Sequence, residues 1–193
     1  YLGEGVCLIR LPFIWERLQP VLNEPFAKEY EEGLRRSVRL AAERGMKVIL
    51  DLHNYCRYHG QLIASDDVPL VAFTDVWRRL SAMFHDEPAV VAYGLMNEPY
   101  NTGGVWPQVA QAGIDGVRSH DSETIILVAG DRFSSAAGWP EYSGDLPGRL
   151  KDPSDKLWYE AHCYFDHNAS GLYEHSYEYE INRPNAEIGR AHV

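Results

Sequence analysis

The sequence predicts an α/β fold with a parallel sheet, specifically an incomplete (β/α)8 TIM barrel. Five short apolar runs lack polar alternation, as expected of strands buried on both faces; they cover residues 6–11, 48–52, 90–96, 125–129 and 157–159. Segments of helical periodicity alternate with these runs, which is the pattern of βαβ units. No GxGxxG or GxxxxGKS/T motif is present, and its absence disfavours a nucleotide-binding doubly wound sheet.

Three helices are predicted between the strands. Apolar residues recur in steps of three or four from Phe26, and Gly45 is the expected C-cap of that helix. A second apolar stripe covers 73–84, and Pro88 stops the chain before the next strand. A third stripe covers 106–117 and is weaker, because each glycine inside a helix costs about 1 kcal/mol relative to alanine.

The length of the chain limits how much of a barrel it can form. A complete barrel of this type typically needs ~250 residues, whereas this chain has 193 and five strand candidates. No linker, repeat or low-complexity segment divides it, so residues 1–193 are predicted to be one partial domain. The visible strands would be about the second through the sixth.

Composition disfavours several classes of partner. Lys and Arg number 18 against 28 Asp and Glu, and the net charge of −10 repels nucleic acid and anionic membrane surfaces. No apolar run approaches the ~20 residues of a membrane helix, and no signal peptide is read at the N-terminus. The three cysteines, Cys7, Cys56 and Cys163, are too few for a disulfide scaffold and are predicted to fill apolar space.

Polar residues collect at the predicted C-terminal strand ends, where parallel α/β folds place their functional groups. They are Arg10, His53, Asn54, Asn97, Glu98, Asp131, His162 and Tyr164. Glu98 follows an apolar strand and precedes Pro99, so we expect partial burial to raise its pKa, as a general acid requires. An ordinary salt bridge at a strand end is the alternative for this glutamate.

The other charged candidates have alternatives too. Arg10 lies inside a predicted strand, where a charge needs a partner, so we expect it to face a carboxylate; an outward-pointing arginine is the alternative. His53 and His162 could be structural. A metal site formed by them with Asp51 and Glu98 is the chemical rival, but no HxH, HExxH or CxxC spacing supports it, and no metal is predicted.

Aromatic residues in the loops after the strands are candidate platforms for sugar rings, with packing under the loops as the alternative. Trp139, between Gly138 and Pro140, is the preferred platform. The other candidates are Tyr55, Tyr58, Tyr100, Tyr164 and Phe165.

Four motifs in this order resemble glycoside hydrolase family 5, and especially its bacterial and fungal endo-β-1,4-glucanases. They are Ile9-Arg10-Leu11-Pro12-Phe13, Asp51-Leu52-His53-Asn54-Tyr55, Gly94-Leu95-Met96-Asn97-Glu98-Pro99 and Glu160-Ala161-His162-Cys163-Tyr164. The resemblance implies a (β/α)8 barrel that cleaves β-linked glycans with retention, using one glutamate as acid/base and another as nucleophile. It implies neither a metal nor an organic cofactor.

The resemblance also implies roles for individual residues. Glu98 matches the acid/base, and Arg10 matches the arginine that braces the nucleophile. His53 and Asn97 match residues that hold the sugar, and His162 and Tyr164 match the histidine and tyrosine beside the catalytic pair. Asn54 and Trp139 complete the predicted substrate-binding set, from their positions in the loops.

No segment matches the family's nucleophile, whose partner carboxyl should lie ~5–5.5 Å away in a retaining enzyme. Glu160 and Asp166 are the nearest alternatives, and neither is in the family's position. Residues 186–193 resemble the start of the helix that precedes the nucleophile's strand. The chain is therefore interpreted as a fragment that is inactive by itself, without the first and last two strands.

The sequence thus predicts part of an extracellular endo-β-1,4-glucanase acting on cellulose or a related β-glucan. We expect no nucleic-acid or membrane partner, and a monomer when the enzyme is complete. A β-mannanase or another β-glucanase of the family is one alternative, and a non-catalytic carbohydrate-binding relative is another.

Overall fold

The computed structural model describes residues 5, 7–164, 166 and 171–182, without the side chains of Tyr177, Glu180 and Ile181. The predicted strand residue Val6, the candidate platform Phe165 and the predicted helix start at 186–193 lie outside the described residues. In chain order the elements are β1 (Leu8–Phe13), α1 (Trp15–Leu18), α2 (Lys28–Ala42), β2 (Lys47–Leu52), β3 (Arg57–Tyr58), β4 (Gln61–Leu62), α3 (Leu70–Phe84), β5 (Val90–Gly94), α4 (Trp106–Arg118), β6 (Ile125–Ala129), α5 (Trp139–Tyr142), α6 (Leu146–Arg149), β7 (Leu157–Glu160) and α7 (Tyr177–Asn182).

The main sheet has five strands in the order β1-β2-β5-β6-β7, and every neighbouring pair is parallel. Helices connect each strand to the next one in the sheet, with α2 after β1, α3 after β2 and α4 after β5. The predicted parallel α/β architecture is confirmed. Because all five strands run the same way, their C-terminal ends meet at one edge, which we call the rim.

The first long helix ends as the sequence predicts. Gly45 has φ +69°, a left-handed conformation that glycine adopts without a steric penalty. The turn it makes lets the N–H of Met46 donate to the carbonyl of Ala41 at 2.9 Å, so β2 begins directly afterwards.

The core lies between the sheet and the helices. Its largest fully buried side chains include Trp15, Trp77, Tyr93 and Trp106. The indole Nε1 of Trp106 donates to the carbonyl of Ala129 at 2.7 Å, which ties α4 to the end of β6. The other face of the sheet carries every second side chain of each strand. In the two edge strands, Leu8 of β1 is 47% exposed and Trp158 of β7 is 61% exposed.

Strand boundaries differ from the predictions by one or two residues, and β2 and β7 each gain one residue, at Lys47 and at Glu160. β1 ends at Phe13 rather than Leu11, because Pro12 and Phe13 still pair with Asp51 and Leu52 of β2. β5 ends at Gly94, although the N–H of Leu95 still donates to Leu127 at 3.1 Å. The β3–β4 hairpin and the short helices α1, α5, α6 and α7 were not predicted, since they are too short to show a period.

Cys56 is buried, and burial raises the pKa of its thiol to about 12, in keeping with the predicted apolar role; Cys7 is exposed, so the same prediction is wrong for that residue. No helix in the described part of the chain combines the length and the apolar character needed to cross a bilayer.

Candidate active site

Glu98 stands at the centre of the rim on a strained backbone. Its φ of +45° is left-handed, a conformation that costs a non-glycine L-residue about 1–2 kcal/mol. The neighbouring backbone holds it there, since the N–H of Asn97 donates to the carbonyl of Leu52 at 2.8 Å and Pro99 follows directly. Only 12% of the Glu98 side chain is exposed.

Two hydrogen-bonding groups converge on a single oxygen of the Glu98 carboxyl group. Nδ1 of His162 lies 2.7 Å from Oε1, and the hydroxyl of Tyr164 donates to the same Oε1 at 3.2 Å. The structure therefore brings the predicted residues Glu98, His162 and Tyr164 together. Burial, and then the negative charge of Glu98, raise the pKa of the Tyr164 hydroxyl, so it remains a donor.

A second carboxylate approaches His162 from the other side. Nε2 of His162 lies 3.2 Å from Oε1 of Glu160, and that oxygen also accepts from Nη2 of Arg10 at 3.2 Å. The contact with Glu160 is the main cause that raises the pKa of His162; burial acts in the opposite direction, and Glu98 raises it further.

Arg10 faces carboxylates, as predicted from its place inside a strand. Its Nη2 lies 2.8 Å from Oδ1 of the fully buried Asp51 and donates to Oδ1 of Asn97 at 3.0 Å. Oδ2 of Asp51 lies 2.7 Å from Nδ1 of His53, and the Tyr55 hydroxyl lies 3.4 Å from the other ring nitrogen. Arg10, Asn97 and His53 therefore share one network with Glu160.

The loop at residues 131–138 connects these strand ends. Phe133 N–H donates to the carbonyl of Pro99 at 2.9 Å, and the Ser134 hydroxyl donates to the carbonyl of Glu160 at 2.6 Å. His162 N–H donates to the carbonyl of Ser134 at 2.7 Å, which fixes the backbone beside the imidazole. Arg132, Phe133 and Ser134 all have positive φ, from 53° to 62°.

The structure corrects the prediction that Asn54 binds substrate. Its Oδ1 accepts from the backbone N–H of Trp15 at 2.8 Å, and its Nδ2 donates to Glu16 at 2.6 Å and to the carbonyl of Arg57 at 3.1 Å. The residue is buried, and its amide serves to hold the start of α1 against the loop after β2.

The structure also corrects the prediction that Trp139 is a sugar platform at the rim. Its ring packs edge-on against Tyr159, with centroids 6.3 Å apart, and covers Gly130, where an added Cβ would lie 2.5 Å from the ring. Tyr159 points to the opposite side of β7 from Glu160. Trp139 therefore belongs to the packing on the helix side of the sheet.

Sequence reasoning missed an aromatic stack on the rim. Phe133 lies over Tyr100 with centroids 4.6 Å apart and an interplanar angle of 14°, and the Arg57 guanidinium lies 4.4 Å from the centre of the Tyr100 ring. Phe133 is 48% exposed. Tyr100 was a candidate from its place after β5, but the positive φ values that turn Phe133 onto it have no signal in the sequence.

Neither alternative nucleophile is placed to attack a sugar held at Glu98. The imidazole of His162 stands between Glu160 and Glu98, whereas a retaining pair must have the sugar between them. Asp166 is buried and accepts from the backbone N–H of Gly171 at 3.0 Å. Among the described residues, no three His, Cys, Asp or Glu side chains are arranged to hold a metal.

Comparison with known proteins gives one consistent result. Residues 3–189 match the sequence model of the family described as Cellulase (glycosyl hydrolase family 5). The manganese-dependent endoglucanase Eg5A of Phanerodontia chrysosporium is 29% identical over 178 residues, which cover 89% of this chain and 46% of that protein. Endo-β-1,4-glucanase A of Emericella nidulans is 34% identical over 173 residues, covering 88% of this chain and 51% of that protein.

Comparison with solved structures also finds endoglucanases. The crystal structure of endoglucanase Cel5A from Pseudomonas stutzeri in complex with cellobiose superposes with a TM-score of 0.90 at 42% identity, covering 100% of this chain and 57% of that one. This likeness confirms the predicted incomplete (β/α)8 barrel. The chain spans about half the length of the curated relatives it matches.

Proposed function

Because the chain belongs to glycosyl hydrolase family 5, we propose that it carries the acid/base part of the active site of a longer, retaining endo-β-1,4-glucanase. The observation that carries the proposal is Glu98 with both of its donors on Oε1. A carboxyl group held in this way leaves Oε2 to exchange a proton with a glycosidic oxygen, which is the task of the acid/base in retaining hydrolysis.

The neighbouring residues fit the same reaction. Oδ1 of Asn97 is taken by Arg10, so the Nδ2 donors are the part of this amide available to a sugar hydroxyl. His53 is oriented by the buried Asp51 and reaches the rim half-exposed. We propose that both residues hold the sugar at the cleavage point.

The nucleophile is proposed to be a glutamate outside residues 1–193, braced by Arg10. Nε of Arg10 is buried and has no hydrogen-bond partner among the described residues, although Nη2 has several. A guanidinium with an unused N–H donor can form a hydrogen bond to a further carboxylate. It would also favour the ionised form of that carboxylate, as a nucleophile requires.

The glycan specificity is proposed from the relatives. The two curated relatives described above are named endoglucanases, and the P. stutzeri enzyme was crystallised with cellobiose. We therefore propose a β-1,4-glucan as substrate and an extracellular site of action, since such polymers are too large to enter a cell. A β-mannanase remains the second candidate, because protonation of a β-1,4-glycosidic oxygen by Glu98 would serve both polymers.

The test is Glu98→Gln in the longer protein, with Glu32→Gln on the exposed face of α2 as a control. We expect kcat/KM on cellopentaose to fall by about 10²-fold or more, and far less on a dinitrophenyl cellobioside, whose leaving group needs no proton. Equal losses on both substrates would contradict the acid role. Comparing the turnover of the wild-type protein on carboxymethylcellulose and on mannan separates the two specificities. If the wild-type protein hydrolyses neither polymer, the enzyme proposal is overturned.

A further inference from the structure

His162 lies between two carboxyl groups that come from different strands. Oε1 of Glu98, in the loop after β5, is 2.7 Å from Nδ1, and Oε1 of Glu160, the last residue of β7, is 3.2 Å from Nε2. An ionised carboxylate can only accept hydrogen bonds. A neutral imidazole has one N–H, so it can donate to only one of the two carboxylates, and an imidazolium is required to donate to both.

A positive charge lies beside Glu160. Arg10 of β1 donates to the same oxygen of Glu160 that faces His162, and Arg10 is itself paired with Asp51 of β2. The positive charge of Arg10 is thus shared between Asp51 and Glu160, which limits its repulsion of an imidazolium. From the other side, Glu98 faces His162 directly, and Tyr164 reaches the same Glu98 oxygen as a neutral donor.

We propose that Glu160 is a positioning residue that acts on Glu98 through His162. Its negative charge holds His162 as an imidazolium that donates Nε2–H to Glu160, so that the second ring proton, on Nδ1, is donated to Oε1 of Glu98 and the proton used in catalysis is carried on Oε2. The inference rests on the proposed acid/base function of Glu98, which it deepens.

The proton balance of both steps follows from this arrangement. In the first step the proton on Oε2 passes to the glycosidic oxygen, which keeps the electron pair of the breaking C–O bond while the nucleophile's carboxylate bonds to the anomeric carbon. The carboxylate left on Glu98 is stabilised by the Nδ1–H donor and by Tyr164. In the second step Oε2 takes a proton from the water whose oxygen replaces the nucleophile at the anomeric carbon.

Without the charge of Glu160 a different proton position becomes favourable. A neutral imidazole with its proton on Nε2 would present a lone pair at Nδ1, which attracts the carboxyl proton of Glu98 onto Oε1. That proton would then lie between Glu98 and His162, on the side away from the glycosidic oxygen.

The experiment compares wild-type protein with Glu160→Gln and with Glu31→Gln, a control in which a partly exposed glutamate of α2, paired with Arg35, receives the same change. Ring ¹⁵N NMR of His162 in the wild-type longer protein should show both nitrogens protonated at neutral pH. We expect Glu160→Gln to lower the measured pKa of His162 by about one or more, since it removes an opposite charge within hydrogen-bond distance. The control should leave that pKa unchanged.

Kinetics provide the second readout. In Glu160→Gln the loss of kcat/KM on cellopentaose should exceed the loss on a dinitrophenyl cellobioside by about tenfold. A singly protonated ring in the wild type, or an unchanged His162 titration in the variant, overturns this inference whatever the activity. Absence of hydrolysis in the wild type overturns the proposed function instead. If the glutamine variant fails to fold, the wild-type ring protonation decides.

Discussion

Gly116 of α4 packs directly against the backbone of Thr74 in α3. A Cβ at position 116 would lie 2.5 Å from the Thr74 carbonyl oxygen and 3.0 Å from Cβ of Trp77. The two helices that flank β5 can approach this closely only because residue 116 has no side chain. Their contact supports β5, whose C-terminal end carries Glu98.

The first prediction is that Gly116→Ala destabilises the protein. The methyl group must displace helix backbone, so we expect the free energy of unfolding to fall by about 1–3 kcal/mol. Gly33→Ala in α2 is the control, because a Cβ there meets nothing within 4 Å and should stabilise the helix by about 0.5–1 kcal/mol. Urea unfolding followed by circular dichroism measures both. Equal effects of the two substitutions would contradict the packing argument.

The second prediction concerns the buried pair Arg118–Asp152, which joins the end of α4 to the segment before β7. Nε and Nη2 of Arg118 donate to the two oxygens of Asp152 at 2.7 and 2.9 Å, and both side chains are nearly inaccessible. Burial alone would raise the pKa of Asp152, but hydrogen bonds from Arg118 and from backbone N–H groups bring it to about 2.

Since this pKa lies below the value of about 3.9 for unfolded Asp, the pair stabilises the fold fully at neutral pH and progressively less as the pH falls toward 2. Arg118→Gln should therefore cost about 3 kcal/mol at pH 7, and the deficit should shrink below pH 4. Thermal unfolding against pH measures this, with the exposed Glu32→Gln as control. A deficit that stays constant down to pH 2 would exclude the ion-pair origin.

The third prediction separates the scaffold role of Asn54 from substrate binding. Asn54→Ala leaves the buried N–H of Trp15 without its acceptor, so the free energy of unfolding should fall by about 1–3 kcal/mol. Because the amide is used within the protein, KM for cellopentaose should stay at the wild-type value. A raised KM with unchanged stability would restore the substrate-binding role.

The fourth prediction concerns two aromatic side chains that follow β6, Phe133 in the 131–138 loop and Trp139 at the start of α5. Phe133→Ala removes an exposed ring face at the rim and should weaken cellopentaose binding by about 0.5–1.5 kcal/mol. Trp139→Ala should lower the melting temperature instead, because its ring packs on Tyr159 and Gly130. Calorimetric titration and thermal unfolding of both variants give the comparison; the reverse pattern would favour Trp139 as the platform.

The sequence was informative wherever a periodic pattern or a strand end determined the structure. The five parallel strands, the three long helices and the Gly45 cap follow from short apolar runs, helical spacing and one glycine. The partners of Arg10 could be predicted as carboxylates because a charge inside a strand needs one, although the pattern did not identify Asp51 and Glu160.

The side-chain directions could not be predicted in the same way. Asn54 and His53 are neighbours after one strand, yet only His53 reaches the rim, because the Asn54 amide turns inward to the Trp15 backbone and to Glu16. Trp139 has the residue type of a platform, and only its contact with Tyr159 shows that it faces the helices. Both outcomes depend on loop backbone conformations that leave no periodic signal.

Because the 131–138 loop is hydrogen-bonded to Pro99, Glu160 and His162, we expect the backbone around Glu98 and around His162 to open as one cooperative unit. Local unfolding of that loop would release the backbone on both sides of the Glu98–His162 contact at the same time. The amide hydrogens of Phe133, Ala136 and His162 should then exchange with solvent at a common rate. A substitution that destabilises this loop would therefore disturb the Glu98–His162 contact without altering either residue.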